Sequence, residues 1–273
     1  MAITNFIPTV WSENLYSELD KQYIAVANCN REFEGEIKNK GAVVKICGVG
    51  SVDVSDYTKN TDMSVAQALS DTVKELAIDQ AKYFNFQIDD IDRAQCTPKL
   101  MNAAMKIAAS SLANTADKYV FGLYSEAGNT VSSDAATVDN IVDLIIDART
   151  KLYANNVTDA YEVVIEVSPE VAALILKAKV NLSTDNASSL EAGCLGSIGG
   201  CKVFVSNNIV VDGDKHKCLV RTKRAIAFAE QLSEIEAYRP EKRFSDAVKG
   251  LHLYGAKVVY PTEMVLLDVK VSA

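Results

Sequence analysis

The spacing of hydrophobic residues changes near residue 97, from alternate positions to every third or fourth position. Before that point, residues 41–47 and 72–88 form two extended runs on either side of the polar segment 56–62, although the alternation lapses at Gln80 and Lys82. Alternation of this kind predicts strands, so the region is expected to form a long β-hairpin with a polar tip. A two-stranded hairpin is only marginally stable in water, and this one must therefore lean on another surface.

A long helix is predicted over residues 98–126. Thr97 is a suitable N-cap and Pro98 a suitable first helical residue. One apolar stripe runs along the helix through Met101, Met105, Ala108, Leu112, Ala116, Tyr119 and Leu123. The sequence leaves open a coiled-coil strand or a structural spine. The charges that flank a coiled-coil seam are missing, and small residues are abundant, which favours packing against the sheet of the same subunit.

The second half of the chain predicts a lobe in which strands and helices alternate. A helix is expected over residues 138–153, a strand over 161–167, and another helix from Ser168 and Pro169 onward. Residues 181–201 are expected to be loop-like, residues 201–205 to form a strand, and the C-terminal region to form two strands joined at Pro261 and Thr262. This alternation of strands and helices predicts an α/β or α+β lobe.

Composition narrows the class of protein. The chain has 273 residues, 48% hydrophobic and 23% charged, with a net charge of −8, which is typical of a globular protein and excludes disorder of the whole chain. No apolar run is long enough to span a membrane, and the first residues lack the features of a secretory signal. Residues 1–30 are expected to form an arm and a short helix, with Trp11, Leu15 and Leu19 at helical spacing.

Candidate chemistry is sparse. The six cysteines are scattered without a C-x-x-C pair, so buried or loop thiols are favoured over a metal site, for which only Cys194, Cys201, His216 and Cys218 lie near one another in sequence. His216 is expected in a polar turn and His252 in a strand, and no nucleophile motif accompanies either. The glycine-rich residues 193–200 suggest a phosphate cradle, but a plain turn is favoured. We therefore expect no enzymatic activity, no metal and no cofactor.

A basic stretch stands out against the acidic chain. Residues 215–249 carry nine basic and five acidic side chains, a local charge of +4, whereas the rest of the chain sums to −12. A solvated or intersubunit salt-bridge face is favoured over nucleic-acid contact, since few aromatic residues are interleaved for base stacking. The densest part contains Arg239, Glu241, Lys242 and Arg243, which are expected to form intersubunit ion pairs.

Several short segments carry a family resemblance. They are Pro-Thr-Val-Trp at residues 8–11, Glu-Gly-Glu-Ile at 34–37, Val-Lys-Ile at 44–46, Val-Ser-Asn-Asn at 205–208, and the segments 237–244 and 250–258. With the order arm, hairpin, long helix, mixed lobe and strands, the chain resembles the major capsid proteins of tailed bacteriophages with the Hong Kong 97-like (Johnson) fold. The resemblance covers nearly the whole chain.

The resemblance implies a division of the chain. It places an N-terminal arm at 1–30, a hairpin called the E-loop at 31–96, the spine helix of a peripheral domain at 97–130, an α/β axial domain at 131–225, and returning peripheral strands at 226–273. In that family the arm and the E-loop lie across neighbouring subunits. This implies intersubunit contacts for the arm residues Pro8 and Trp11 and for the hairpin-tip residues Asp56, Tyr57, Thr58 and Lys59.

The implied function is that of a coat protein. Members of the family assemble through hexamers and pentamers into an icosahedral shell that encloses phage DNA, so we expect a virion protein assembled in the host cytoplasm. Expected partners are further copies of the chain, a separate scaffolding protein, a portal, and double-stranded DNA held without sequence-specific contact; no membrane is expected. The alternatives are an encapsulin-type nanocompartment shell, a phage tail or adaptor component, and an enzyme.

Overall fold

The computed structural model of the chain describes residues 15, 18–19, 22–33, 43–49, 56, 59, 71–89, 100–157, 162–178, 194–241 and 245–272. The helices are α1 (Leu100–Gly122), α2 (Ile141–Ala154) and α3 (Pro169–Lys177). The strands are β1 (Val43–Val49), β2 (Asp71–Ala77), β3 (Gln80–Asp89), β4 (Asn129–Ala136), β5 (Val163–Val167), β6 (Cys194–Ile198), β7 (Cys201–Val205), β8 (Val211–Asp212), β9 (Lys215–Thr222), β10 (Ile226–Tyr238), β11 (Ser245–Val258) and β12 (Met264–Val271).

The strands form three sheets, which makes the fold mixed α+β. The β1–β2 hairpin is a two-stranded sheet of its own, and a three-stranded sheet has the order β10-β11-β3. A seven-stranded sheet has the order β4-β12-β9-β5-β7-β6, with the short β8 paired to β9. Within it, β4 runs parallel to β12 and β5 parallel to β7, and the remaining pairs are antiparallel.

The helix α1 confirms the long helix predicted from the apolar stripe. Met105, Leu112 and Ala116 are buried in the main core of their own chain, which also includes residues of β10, β11 and the seven-stranded sheet. The helix ends in a 3-10 turn, Leu123–Glu126. The predicted cap residues Thr97 and Pro98 lie outside the described residues. Because the stripe is covered from within the chain, α1 is a spine of the subunit and not a coiled-coil strand.

The predicted α/β alternation of the lobe is confirmed by α2, β5 and α3. The buried face of α2 consists of Ile141, Ile145, Ala148 and Leu152. The Ser168 hydroxyl accepts a hydrogen bond from the Val171 amide, and Pro169 occupies the first turn of α3. This is the N-cap arrangement that the sequence predicts.

The hairpin prediction is confirmed in its base. The strand β1 pairs antiparallel with β2, from Val43 opposite Ala77 to Val49 opposite Asp71. The chain then leaves this sheet at Ile78 and Asp79, and β3 pairs with β11 instead. The lapse in alternation at Gln80 and Lys82 therefore marks a change of sheet, since the side chains of β2 and β3 face different neighbours.

Two sequence predictions differ from the structure. Residues Cys194–Ile198 form the strand β6 and not a loop, although the predicted turn is present at Gly199 and Gly200. His216 lies inside β9 and is buried, because the turn comes earlier, at Gly213 and Asp214. The short polar run around His216 suggested a turn, but pairing with β8 and β12 on either side holds it as a strand.

The last strand, β12, pairs outside the three-stranded sheet. It sits between β4 and β9 in the seven-stranded sheet, whereas β10 and β11 form the three-stranded sheet. Sheet pairing thus separates β12 from the other strands of residues 226–273. Its near-continuous apolar residues Met264–Leu267 are buried, as expected for a strand inside a sheet that is covered by a helix. Within the described residues, no helix is long and apolar enough to cross a membrane.

Candidate functional site

The hairpin is attached to its own subunit at its base. Val44, Ile46, Leu76 and Ile78 are buried in a small second core together with residues of β10 and β11. The backbone at Gly255 lies so close to the hairpin that a Cβ there would meet the Ala77 carbonyl oxygen at 2.2 Å. The surface on which the hairpin leans is therefore the three-stranded sheet of the same chain.

The predicted tip residues are only partly within the described structure. Asp56 and Lys59 are exposed, while Tyr57 and Thr58 lie outside the described residues, as do the arm residues Pro8 and Trp11. Leu15 and Leu19, by contrast, are fully buried in the main core. The end of the predicted arm that adjoins the hairpin is thus anchored in its own subunit.

The predicted ion-pair residues lie at the far end of β10. Arg239 and Glu241 are exposed, and the Arg239 Nε atom lies 3.7 Å from Asp246 Oδ1 of the same chain. Lys242 and Arg243 lie outside the described residues. The intersubunit role of these four residues stays a prediction.

The rest of the basic stretch does not form one solvated face. Most of its described cations pair with carboxylates of the same chain, such as Lys217 with Asp268 at 2.8 Å and Arg224 with Glu263. Arg221 is fully buried. The surface interpretation is therefore wrong for Arg221, because local charge in the sequence does not reveal a buried partner on another strand.

Arg221 is the centre of a buried junction between the N-terminal segment and the seven-stranded sheet. Its Nε and Nη2 atoms each donate to the Glu166 carboxylate at 2.9 Å, in a bidentate pair. Its Nη1 donates to the Asn28 carbonyl at 2.6 Å, and Nη2 also donates to the Ala25 carbonyl at 3.0 Å. The guanidinium thus ties the segment around residues 25–28 to β5 and β9.

Electrostatics at this pair favour the charged guanidinium. Burial disfavours the charge, but the Glu166 carboxylate outweighs it and raises the pKa of Arg221 above its ordinary value. Asn28 donates to Glu166 at 3.3 Å and fills a further acceptor position of that carboxylate. The neighbouring Cys29 thiol is inert, because burial raises its pKa to about 11.

Asp117 binds the same segment from the side of α1. Its carboxylate accepts hydrogen bonds from the amides of Ile24, Ala25 and Val26, each at 3.0 Å. These amides precede or begin a 3-10 turn, Val26–Asn28, where backbone amides lack partners within the turn itself. Burial raises the pKa of Asp117 from 3.8 to about 6, against the lowering effect of the three amides.

Glu230 on β10 holds the next residues along. Its carboxylate accepts the Tyr23 hydroxyl at 2.5 Å and pairs with Arg31 at 2.7 Å, and His252 Nε2 of β11 lies 2.8 Å away. Burial raises the pKa of this carboxyl, but the His252 and Tyr23 hydrogen bonds and the Arg31 charge hold it below its ordinary value. Backbone bonds between Asn30 and β10 complete the attachment.

These three carboxylates, with Arg221, form what we call the buried junction, defined by Asp117, Glu166, Arg221 and Glu230. It joins the segment 22–31 to α1, to the seven-stranded sheet and to the three-stranded sheet at once. The junction was not predicted from the sequence. A charged residue at a position expected to face the core would have indicated it, since Asp117 follows the stripe residue Ala116 and Glu166 lies within a buried strand.

The junction and its surroundings do not form a reactive site. Both histidines pair with carboxylates, His252 with Glu230 and His216 with Glu170 at 3.0 Å. Cys29, Cys201 and Cys218 are buried and form no disulfide bond with any residue that the structure describes. Among the described residues, no group of three or more histidine, cysteine or acidic side chains could hold a metal ion. The four side chains of the junction bind neighbours of their own chain, whereas the Nδ1 atoms of His216 and His252 are buried without a hydrogen-bond partner among the described residues.

Comparisons with known proteins agree with this architecture. The family model described as phage capsid protein matches residues 72–267, more than half of the chain. A solved structure from Mycobacterium phage Che8 is similar to the chain at 32% sequence identity and a TM-score of 0.70, with coverage of 90% of this chain and 91% of that chain. A comparison with curated proteins found no match.

More distant structures share the fold. The capsid of Ralstonia phage GP4 has 12% identity and a TM-score of 0.70, covering 93% of this chain and 91% of its own. A virus-like particle from Pyrococcus furiosus has 11% identity and a TM-score of 0.56, covering 96% of this chain and 99% of its own. From the family match and the Che8 likeness, the chain belongs to the phage capsid protein family and is a major capsid protein of the virion, a structural protein and not an enzyme.

Proposed function

We propose that the chain builds an icosahedral shell through hexamers and pentamers, with the Hong Kong 97-like arrangement of domains. The single observation that carries the proposal is the β1–β2 hairpin, a two-stranded sheet outside both larger sheets, whose described buried residues lie against β10 and β11. A hairpin of this kind is marginal without further contacts. A neighbouring subunit supplies such contacts in a shell.

The proposed division keeps the boundaries of the sequence analysis with one change. Residues 1–30 are the arm, 31–96 the E-loop, 97–130 the spine helix, 131–225 the axial domain, and 226–273 the returning strands, with β12 reassigned to the axial sheet. The axial sheet is then the seven-stranded one, and the peripheral sheet is the three-stranded one. The grouping rests on strand pairing, since β12 is hydrogen-bonded to β4 and β9 and not to β10 or β11.

In such a subunit the buried junction would hold the segment between the arm and the E-loop in a fixed position. It fixes the segment 22–31, which connects the proposed arm to the proposed E-loop, against α1 and both sheets. The arm and the E-loop must be attached rigidly to reach neighbouring subunits, because a small change of angle at the attachment point displaces the far end of each element by a larger distance. The arm residues Pro8 and Trp11 and the tip residues Asp56, Tyr57, Thr58 and Lys59 are the proposed intersubunit contacts.

Intersubunit ion pairs are proposed for Arg239, Glu241, Lys242 and Arg243. The support is their position beyond the paired end of β10, where Arg239 and Glu241 are exposed. Arg243→Glu should leave the subunit folded but impair assembly, and Lys177→Glu on the exposed side of α3 is the control with the same change of charge. Full shell yield from Arg243→Glu would remove this part of the proposal.

Further partners are needed to assemble and fill a phage shell. We propose a separate scaffolding protein, a portal, and assembly in the host cytoplasm, with double-stranded DNA inside. The net charge of −8 supports DNA held without specific contact, since like charges keep the packaged polymer from adhering to the wall. The encapsulin-type alternative has only the shared fold of the Pyrococcus furiosus virus-like particle in its favour.

The test is assembly itself. The chain should be expressed alone and with its phage's candidate scaffolding protein, and the products separated by sedimentation velocity. We expect closed particles of uniform size, together with capsomers of five and six copies on partial dissociation. Open tubes or stacked rings under every condition would favour the tail or adaptor alternative and would contradict the proposal.

A further inference from the structure

A cavity of about 410 Å³ lies beside β5 of the seven-stranded sheet. It is bounded by the start of β5, by the turn between β6 and β7, and by the second half of α2. Its lining residues are Arg149, Glu162, Val163, Val164, Gly199, Gly200, Cys201 and Lys202. Nothing in the assembly roles described above uses this cavity.

Arg149 is held in place at the wall of the cavity. Its Nη2 atom donates to the Tyr153 hydroxyl at 2.5 Å, and its guanidinium lies over the Tyr153 ring, 5.1 Å from the centroid. On the other side, a Cβ on Gly199 would meet Arg149 Nη1 at 2.8 Å. The guanidinium is thus confined between an aromatic ring and a turn that only glycines allow, since both Gly199 and Gly200 have positive φ.

The charge of the cavity is opposite to that of the chain. Three cations lie in or beside it, namely Arg149, Lys202 and Lys223, and Lys223 pairs with the one carboxylate of the lining, Glu162. Lys202 is exposed and forms no ion pair with any residue that the structure describes. The charges of Lys223 and Lys202 lower the pKa of Glu162, which is consistent with their common orientation.

The surface of α2 on either side of Arg149 has the composition of a protein interface. Ile146 and Tyr153 lie on the same side of α2 as Arg149, one turn before and one turn after it, and both are exposed, to 48% and 44%. Exposed aromatic and aliphatic side chains around an arginine are enriched at protein–protein contacts, whereas a DNA-binding surface carries many more cations. The local cations complement the surface of a second copy, whose net charge is −8.

We propose that this cavity receives an acidic side chain from a second copy of the chain, with Arg149 and Lys202 as the groups that bind the carboxylate. The inference rests on the proposed function, because it supplies one specific contact of the shell. Arg149 is the oriented donor, as a planar guanidinium suits a carboxylate, and Lys202 adds charge at the mouth. Ile146 and Tyr153 pack around the contact and exclude water from it.

The test is charge reversal at the exposed position, Lys202→Glu, in the full chain. The variant should stay folded, with a thermal midpoint close to that of the wild-type subunit, because Lys202 is exposed and forms no ion pair within hydrogen-bond distance of any described carboxylate. The concentration needed for particle assembly should rise by about tenfold or more, since a like charge would now face the incoming carboxylate. Raising the salt concentration should weaken wild-type assembly and have little effect on the variant. Lys118→Glu, on the exposed side of α1, is the control with the same charge change.

Each other outcome decides against the inference. Assembly of Lys202→Glu at the wild-type concentration would show that no carboxylate enters the cavity, and equal impairment of Lys118→Glu would assign the effect to net charge. Normal empty shells with a defect in DNA packaging would identify the ligand as phosphate and not a second copy. Failure of the wild-type chain to assemble under any condition would refute the proposed function. That result differs from failure of the cavity inference alone, in which the wild type and Lys202→Glu both assemble.

Discussion

Removing the Arg221 side chain tests the buried junction. In Arg221→Met, a chain of similar length fills the space, but the bidentate partner of Glu166 disappears, and the Asn28 and Ala25 carbonyls lose their donors. Breaking one side of a buried ion pair costs about 3–5 kcal/mol, because a buried charge is left uncompensated. Since whole domains are stable by only about 5–15 kcal/mol, the variant should lose a large part of its stability.

A second variant at Glu166 makes it possible to measure the interaction energy between Arg221 and Glu166 separately from the effect of each side chain. Glu166→Gln alone should also destabilise the subunit, since it leaves the buried Arg221 charge without its counter-ion. The double variant Arg221→Met with Glu166→Gln should lose less free energy of unfolding than the sum of the two single variants, by up to about 3 kcal/mol. This difference is the coupling between the two side chains.

The free energy of unfolding of unassembled subunits can be measured by urea denaturation followed by circular dichroism. Limited proteolysis reports in addition whether the segment 22–31 opens before the rest of the chain. Because the junction is the root of that segment, we expect Arg221→Met to be cleaved there at urea concentrations that leave the wild type intact. A loss below about 1 kcal/mol for Arg221→Met, or strict additivity in the double variant, would refute the reasoning.

Three further predictions follow from described contacts. Because the pKa of Asp117 is raised from 3.8 to about 6 in the folded subunit, its contribution to stability is complete below pH 3.8 and is lost as the pH rises through about 6. The free energy of unfolding of Asp117→Asn should therefore increase relative to that of the wild type by about 3 kcal/mol between pH 4 and pH 7, as measured by urea titrations. Gly255→Ala should destabilise by about 1–3 kcal/mol, because its Cβ would strike the Ala77 backbone, whereas Gly122→Ala, with open space, should not. Ala116→Leu should overpack the core and yield insoluble subunits at a cost of about 1–3 kcal/mol, while the exposed Ala103→Leu stays soluble. Normal stability of either overpacked variant, or a pH-independent difference for Asp117→Asn, would contradict the corresponding contact.

Periodicity predicted the elements that bury one continuous face. The long helix is apolar at regular spacing, and α2 has Ile141, Ile145 and Leu152 on one side, so each element could be placed from its own residues. The hairpin was predictable for the same reason, since β1 and β2 alternate. The cap at Ser168 was predictable because an N-cap acts within three residues.

Long-range partners could not be predicted in this way. Arg221 and Glu166 are separated by 55 residues, and Asp117 and Ala25 by 92, so no local pattern links them. The pairing of β12 with β4 and β9 likewise depends on which sheet the strand enters, and its apolar residues suit either sheet. The prediction for His216 was wrong because its charged neighbours Lys215 and Lys217 are typical of an exposed turn. In the structure these two lysines pair with Asp134 and Asp268 on neighbouring strands.

The central claim is that this capsid protein anchors its hairpin and arm at their roots and extends both onto neighbouring subunits. An electron cryomicroscopy reconstruction of assembled particles tests it most directly. We expect a closed icosahedral shell of hexamers and pentamers in which Asp56 and Lys59 of each hairpin contact another subunit, while Asp117 and Arg221 hold the segment 22–31 within their own. A shell in which the hairpin tip folds back onto its own subunit, or in which the segment 22–31 crosses to a neighbour, would contradict it.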